Sequence, residues 1–124
     1  MKWKMDGLSV GTITQAVLNR IADYLFEVKT GANTVRWSEV NDLDVKSTHK
    51  VRGVRYQPTR IRPFKKLMSG QKFPGESVFV DLGCGKGRVL LMAVECGFKR
   101  VVGVEFAHEL CEIAKRNVSI YRKK

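Results

Sequence analysis

Val78-Phe79-Val80-Asp81-Leu82 is a short apolar, β-branched run with one acid in it, and it opens directly into Gly83-Cys84-Gly85-Lys86-Gly87. Three alternating glycines between a strand-like run and a helix-like run leave few folds open to the chain. Glycine lacks a Cβ, so the turn can pass through positive φ and let a ligand lie against bare amides. The N–H groups that open the next helix then face that ligand with a favourable dipole. Such a turn is built for close approach of a small molecule.

Several readings of this loop compete. A phosphate-binding P-loop needs G-x-x-x-x-G-K-[ST], but Val80 stands five residues before Gly85 and Gly87 follows Lys86. It fails at both positions. A dinucleotide fingerprint needs G-x-G-x-x-G; Gly83 and Gly85 fit, while Arg88 stands where close helix–strand packing wants glycine or alanine. An ordinary glycine-rich strand-to-helix turn is the bland alternative. Downstream, Arg88 to Cys96 reads as an apolar helix with Gly97 as its stop. Arg100-Val101-Val102-Gly103-Val104-Glu105 is a second β-branched run ending on an acid, and strand–helix–strand implies two parallel strands joined right-handed. Asp81 and Glu105 then lie at the carboxyl ends of adjacent strands, where open α/β sheets bind ligands. A carboxylate there can accept two hydrogen bonds from a ribose diol, against the plainer reading of Glu105 as a solvated acid. His108 to Tyr121, with Leu110, Ile113, Ala114, Val118 and Tyr121 on one face, reads as a second covering helix.

The G-x-G-x-G spacing, with an acid two residues before the first glycine, resembles the first motif of the class I S-adenosylmethionine-dependent methyltransferases. Ser77 to about Tyr121 is similar to the first β-α-β-α half of that fold. A looser likeness is to the non-SET-domain histone-lysine methyltransferases, which share a Val/Phe-Asp-Leu-Gly-x-Gly loop after a tyrosine-containing upstream segment. The resemblance implies an α/β, Rossmann-like fold with S-adenosyl-L-methionine as cofactor. It implies that Gly83, Gly85 and Gly87 back the methionine moiety, that Asp81 orients that moiety's amino group directly or through water, and that Cys84 belongs to the same cofactor-binding loop. Glu105 would hold the ribose hydroxyls, Phe106 would pack beside the adenine, and Tyr56 and Thr59 resemble residues of a lid over the cofactor. No catalytic residue is nominated, and the methyl acceptor stays open.

A complete domain of that class resembles a seven-stranded sheet, and two of its strands are visible here. The expectation is therefore a fold truncated after strand 2 and its following helix, with an N-terminal helical and basic lid or substrate segment over 1–75 and the cofactor half over 76–124. Such a piece is not expected to turn over alone. An unpaired central edge leaves backbone donors without partners and invites association, so a second chain or an oligomer completing the sheet is part of the same expectation.

With 124 residues and 44 % hydrophobic content, the chain can form one small domain and is not a disordered polymer. Cys84, Cys96 and Cys111 are odd in number and lack CxxC spacing, which suggests reduced thiols. His49 and His108 are far apart in sequence and form no metal-ligand cluster. The first residues lack the apolar core of a signal peptide, and no run is long enough to span a membrane. The chain reads as cytoplasmic.

Toward the N-terminus, Thr12-Ile13-Thr14-Gln15 can form a capping box before apolar positions Ile13, Ala16, Val17, Ile21, Tyr24 and Leu25, with Gly31 as the stop. Trp37 to Asp44 is short and polar. From Val45 to Gly75 there is no acid, while Lys46, Lys50, Arg52, Arg55, Arg60, Arg62, Lys65, Lys66 and Lys72 supply most of the net charge of +11. Tyr56-Gln57-Pro58-Thr59 reads as a turn in which Thr59 caps a helix over Arg60 to Met68. The basic run is either a solvated or lid surface, or a contact for an anionic partner such as nucleic acid or an acidic protein. Tyr56 and Phe64 are too few aromatics for a base-stacking platform. A non-enzymatic basic nucleic-acid-binding module and an NAD-type dinucleotide-binding fragment are the alternative functions.

Overall fold

In the computed structural model, residues 10–35 and 56–123 are described. Six elements follow in chain order: α1 (Val10–Thr30), α2 (Ile61–Ser69), β1 (Val78–Leu82), α3 (Arg88–Glu95), β2 (Arg100–Val104) and α4 (His108–Arg122). β1 and β2 pair in parallel, with Val78 opposite Arg100, Asp81 opposite Gly103 and Leu82 opposite Val104. The connection through α3 is the crossover that a parallel pair requires. β1 continues one residue beyond Asp81, so the acid sits inside the strand's last turn of pleat rather than at its end. This is a mixed helix/strand fold with a small two-stranded parallel sheet, compatible with part of an α/β methyltransferase domain.

One face of the sheet is covered. Phe79 and Val101 pack into a core with Leu91, Met92 and Ala93 of α3, Phe26 of α1, and Ile61 and Phe64 of α2; Val118 and Tyr121 of α4 close its rim. Phe79 is wedged between Phe64 at 6.2 Å and Phe98 at 5.2 Å, centroid to centroid, in edge and tilted arrangements that suit aromatic quadrupoles. The opposite face, carrying Val78, Val80, Leu82 and Val104, is exposed among the described residues.

Three sequence expectations are corrected. The face of α1 that docks is not the apolar stripe. Ile13, Ala16, Val17, Ile21, Tyr24 and Leu25 are all exposed, whereas Asp23, Phe26 and Thr30 are buried. The reason is a charge buried elsewhere. Arg88 is 1 % exposed, its Nη1 lies 3.1 Å from Asp23 Oδ1 and its Nη2 3.8 Å from Glu27 Oε1. Asp23 and Glu27 are i,i+4 neighbours, and satisfying a buried guanidinium outweighs hiding a stripe of Val, Ile and Leu. α1 also begins at Val10, which places Thr12 inside the helix rather than at a capping box ahead of it. α2 begins at Ile61 with Arg60 as its N-cap residue, so Thr59 does not cap it. Asp23 supplies the cap from outside, accepting the Ile61 N–H at 3.2 Å.

Gly31 does end α1, at φ 73°, and Gly97 ends α3 at φ 80°. Trp37 to Asp44 and Lys46, Lys50, Arg52 and Arg55 lie outside the described residues.

Arg88→Ala should cost about 3–5 kcal/mol of stability in urea unfolding, the penalty for leaving buried carboxylates without their partner. Lys115→Ala, which removes a solvent-exposed pair with Glu112, should leave the unfolding midpoint unmoved.

Candidate functional site

The glycine loop is stitched to the end of β2. The N–H groups of Gly83 and Cys84 both donate to the Val104 carbonyl, at 2.7 and 3.0 Å. Gly85 donates to Glu105 Oε2 at 2.8 Å, and Ala107 donates to Glu105 Oε1 at 2.9 Å. Glu105 therefore braces the loop as well as facing the ligand space. A carboxylate oxygen carries two lone pairs, so each keeps one for a further donor.

Gly83, Gly85 and Gly87 all take positive φ, 80°, 53° and 80°. Each has a different neighbour. Nothing lies within 4 Å of where a Cβ on Gly83 would stand, so its open side faces free space. A Cβ on Gly85 would meet the Tyr56 ring at 2.4 Å, and one on Gly87 would meet the Ala114 Cβ at 3.2 Å. Gly87 thus serves the approach of α4 to α3. Gly103, whose significance the sequence does not reveal, makes room for the Cys84 thiol and Leu90: a Cβ there would lie 2.8 Å from Sγ and 2.6 Å from Leu90 Cδ1.

Above this loop lies a cavity of about 250 Å³ whose lining includes Tyr56, Thr59, Asp81, Gly83, Cys84, Gly85, Glu105 and Phe106. Eight of the nine residues singled out from sequence are therefore brought together, and Gly87 stands one position behind. Pro58, Arg88 and Leu110 complete much of the wall. Phe106 is 64 % exposed and lies open beside it.

Burial raises the Asp81 carboxyl above its ordinary value, and the Glu105 charge adds to the shift. Burial likewise pushes the Cys84 thiol up to about 11, helped by Asp81 and Glu105. A thiol so raised is protonated at neutral pH and acts as packing, not as a nucleophile. Tyr56 is pushed up to about 12, chiefly by burial. Its hydroxyl donates to the Thr34 carbonyl at 2.9 Å, and the Lys86 Nζ sits 5.1 Å from its ring centroid.

Residues that sequence reasoning passed over hold this wall in place. Arg88 Nε donates to Thr34 Oγ1 at 2.7 Å and Nη1 to the Thr59 carbonyl at 3.3 Å. Glu27 Oε1 accepts from the Thr34 N–H, from Thr34 Oγ1 at 3.0 Å and from the Val35 N–H at 2.6 Å. Asn117 on α4 is 1 % exposed; it donates to the Lys86 carbonyl at 2.9 Å and exchanges hydrogen bonds with the Asn33 backbone. The available signal was chemical: an arginine in the first turn of an apolar helix, and an asparagine amid the apolar positions of α4, each needing partners once buried.

The match to the family of the histone methylation protein DOT1 spans residues 55–124. The chain belongs to that methyltransferase family. The span opens beside Tyr56 and takes in the whole glycine loop, both strands and α4. A protein-lysine N-methyltransferase of Saccharolobus islandicus (strain REY15A) is 32 % identical over 66 residues, which cover 52 % of this chain and 41 % of that protein. The chain thus covers well under two thirds of that relative's length. No solved structure matches. Among the described residues no group of side chains could hold a metal ion, and no helix is long and apolar enough to cross a membrane.

The raised Asp81 carboxyl has a consequence for stability. The folded chain holds that proton more tightly than the unfolded chain does. The stabilisation this gives is present in acid and lost as pH rises through the folded-state value. Asp81→Asn should therefore raise the thermal unfolding midpoint at neutral pH. Its advantage should shrink as pH falls toward the ordinary carboxylate range, as followed by circular dichroism.

Proposed function

We propose that this chain forms the cofactor-binding part of a class I, Rossmann-like methyltransferase that uses S-adenosyl-L-methionine. The observation that carries this reading is the charge layout around the positive-φ loop. Two carboxylates, Asp81 of β1 and Glu105 just past the end of the parallel strand β2, line one cavity. Arg88, also in its wall, is committed to Asp23 and Glu27 and leaves the two carboxylates uncompensated toward the cavity. S-adenosylmethionine carries an ammonium and a sulfonium, two positive charges that complement this pair of carboxylates. Asp81 suits the ammonium and Glu105 the ribose diol. Gly83, with open space beside it, lets the ligand lie against the main chain.

The same layout disfavours a dinucleotide. A pyrophosphate needs the loop amides and no neighbouring negative charge, yet Gly85 already donates to Glu105. Of the described cations in the basic run, Arg60 is engaged with Asp23 at 2.5 Å and Lys65 with Glu95 at 3.1 Å. Part of that run therefore serves the fold, which supports the lid reading over a nucleic-acid surface.

The name of the Saccharolobus islandicus relative points to a protein lysine as acceptor. The cofactor supplies an electrophilic methyl group. Transfer to a lysine amine forms a C–N bond, breaks the C–S bond and releases a proton, and it requires the neutral amine. What this chain's residues contribute is alignment and exclusion of water, the terms that dominate such a displacement.

Titration calorimetry with S-adenosylmethionine and S-adenosylhomocysteine tests the assignment. Binding should be abolished by Asp81→Ala and by Gly85→Val, the latter because its side chain would occupy the place of the Tyr56 ring at a positive φ. Retained binding in both variants, or a pyrophosphate ligand in the loop of a soaked crystal, would remove the cofactor assignment.

A further inference from the structure

We propose that Asp23 and Thr34, neither of which lines the cavity, are positioning residues for the cofactor site. They act through Arg88 to hold the Tyr56 ring against Gly85. The significance of this relay rests on the S-adenosylmethionine reading, but its geometry does not.

The relay is one ion pair followed by hydrogen bonds. Asp23, 3 % exposed, holds Arg88 Nη1 at 3.1 Å. Arg88 passes the constraint in two directions: Nε to Thr34 Oγ1 at 2.7 Å and Nη1 to the Thr59 carbonyl at 3.3 Å. Thr34, 0 % exposed, then accepts the Tyr56 hydroxyl on its carbonyl at 2.9 Å. The Tyr56 ring lies so close to the Gly85 Cα that a Cβ there would be 2.4 Å from Cε2. Four separate stretches of chain, in α1, at 31–35, at 56–60 and in the glycine loop with α3, are thereby locked to one planar group. A guanidinium suits this task because its donors are fixed in one plane. Moving any partner tilts the others.

A tether of the same helices that does not pass through Arg88 provides the control. Glu95 of α3 pairs with Lys29 of α1 at 2.7 Å and Lys65 of α2 at 3.1 Å, on the far side from the loop. Loosening that tether removes α1 contacts without touching the relay.

The test uses nitration of tyrosine by tetranitromethane, read residue by residue by peptide mass spectrometry, and needs no ligand. Tyr24, 66 % exposed, is an internal standard. In Asp23→Asn and Thr34→Val, Tyr56 should react faster by about tenfold or more, as expected when one ordinary local contact is lost. Tyr24 should be unchanged, and Glu95→Gln should leave Tyr56 at its wild-type rate. In the double variant, Asp23→Asn should add little to Thr34→Val, since both break one chain of contacts. Thr34→Val keeps the carbonyl that binds Tyr56 and changes one hydroxyl, so it serves if Asp23→Asn fails to fold. Tyr56 rates equal to wild type in Thr34→Val, or effects of the two substitutions that simply multiply, would overturn the relay. Calorimetry on the same proteins separates the two proposals. Wild-type protein that binds no S-adenosylmethionine sinks the cofactor reading while nitration still decides the relay. Cofactor binding weakened about tenfold in Thr34→Val but not in Glu95→Gln joins the two.

Discussion

A single guanidinium lies at the junction of everything that surrounds the site. Arg88 is fully enclosed, and an enclosed cation is tolerated only when carboxylates and hydrogen-bond acceptors surround it. Asp23, Glu27, Thr34 and the Thr59 carbonyl meet that demand from three separate stretches of chain. The requirement fixes which face of α1 turns inward and where the chain at 31–35 and 56–60 must run. It also brings Tyr56 down onto the glycine loop. Apolar packing around Leu91 and Met92 holds the layers together, but it is non-directional. The directional part is the buried charge.

The second constraint is the pairing of the loop with the end of β2. Two amides on the Val104 carbonyl and one on Glu105 leave the turn little freedom. Preorganisation of this kind reduces the cost of ordering on binding. It also explains why Asp81 and Glu105 can be kept close despite mutual repulsion. Loop amides partly offset the Glu105 charge, while the Asp81 carboxyl is raised, first by burial and then by Glu105. Sites commonly give up stability in this way to hold a charge where a ligand will need it.

The family match and the cavity overlap in one stretch of chain. The span shared with the DOT1 family begins beside Tyr56, and α1 lies outside it. Yet α1 supplies Asp23 and Glu27, the carboxylates that hold Arg88. The family-typical part of the chain therefore depends physically on a helix that the family match does not reach. Among the described residues, the apolar residues of α1 and the face of the sheet at Val78, Val80 and Leu82 are exposed.

Local chemistry made a large part of this protein legible in its sequence. Alternating glycines, β-branched runs ending near acids and helical periodicity located β1, the loop, α3, β2 and α4 within a residue or two, because these features act on their own neighbours. They also pointed to Asp81, the glycine loop and Glu105 in the cavity wall, whereas Tyr56, Thr59 and Phe106 came from the family resemblance. Sequence misjudged the docking face of α1 and the cap of α2, and left the partners of Arg88 and Asn117 undecided. Those depend on contacts between residues dozens of positions apart, whose strength comes from burial. A charge exposed on an isolated helix has no preferred partner; once enclosed it dictates one, and only the tertiary structure encloses it.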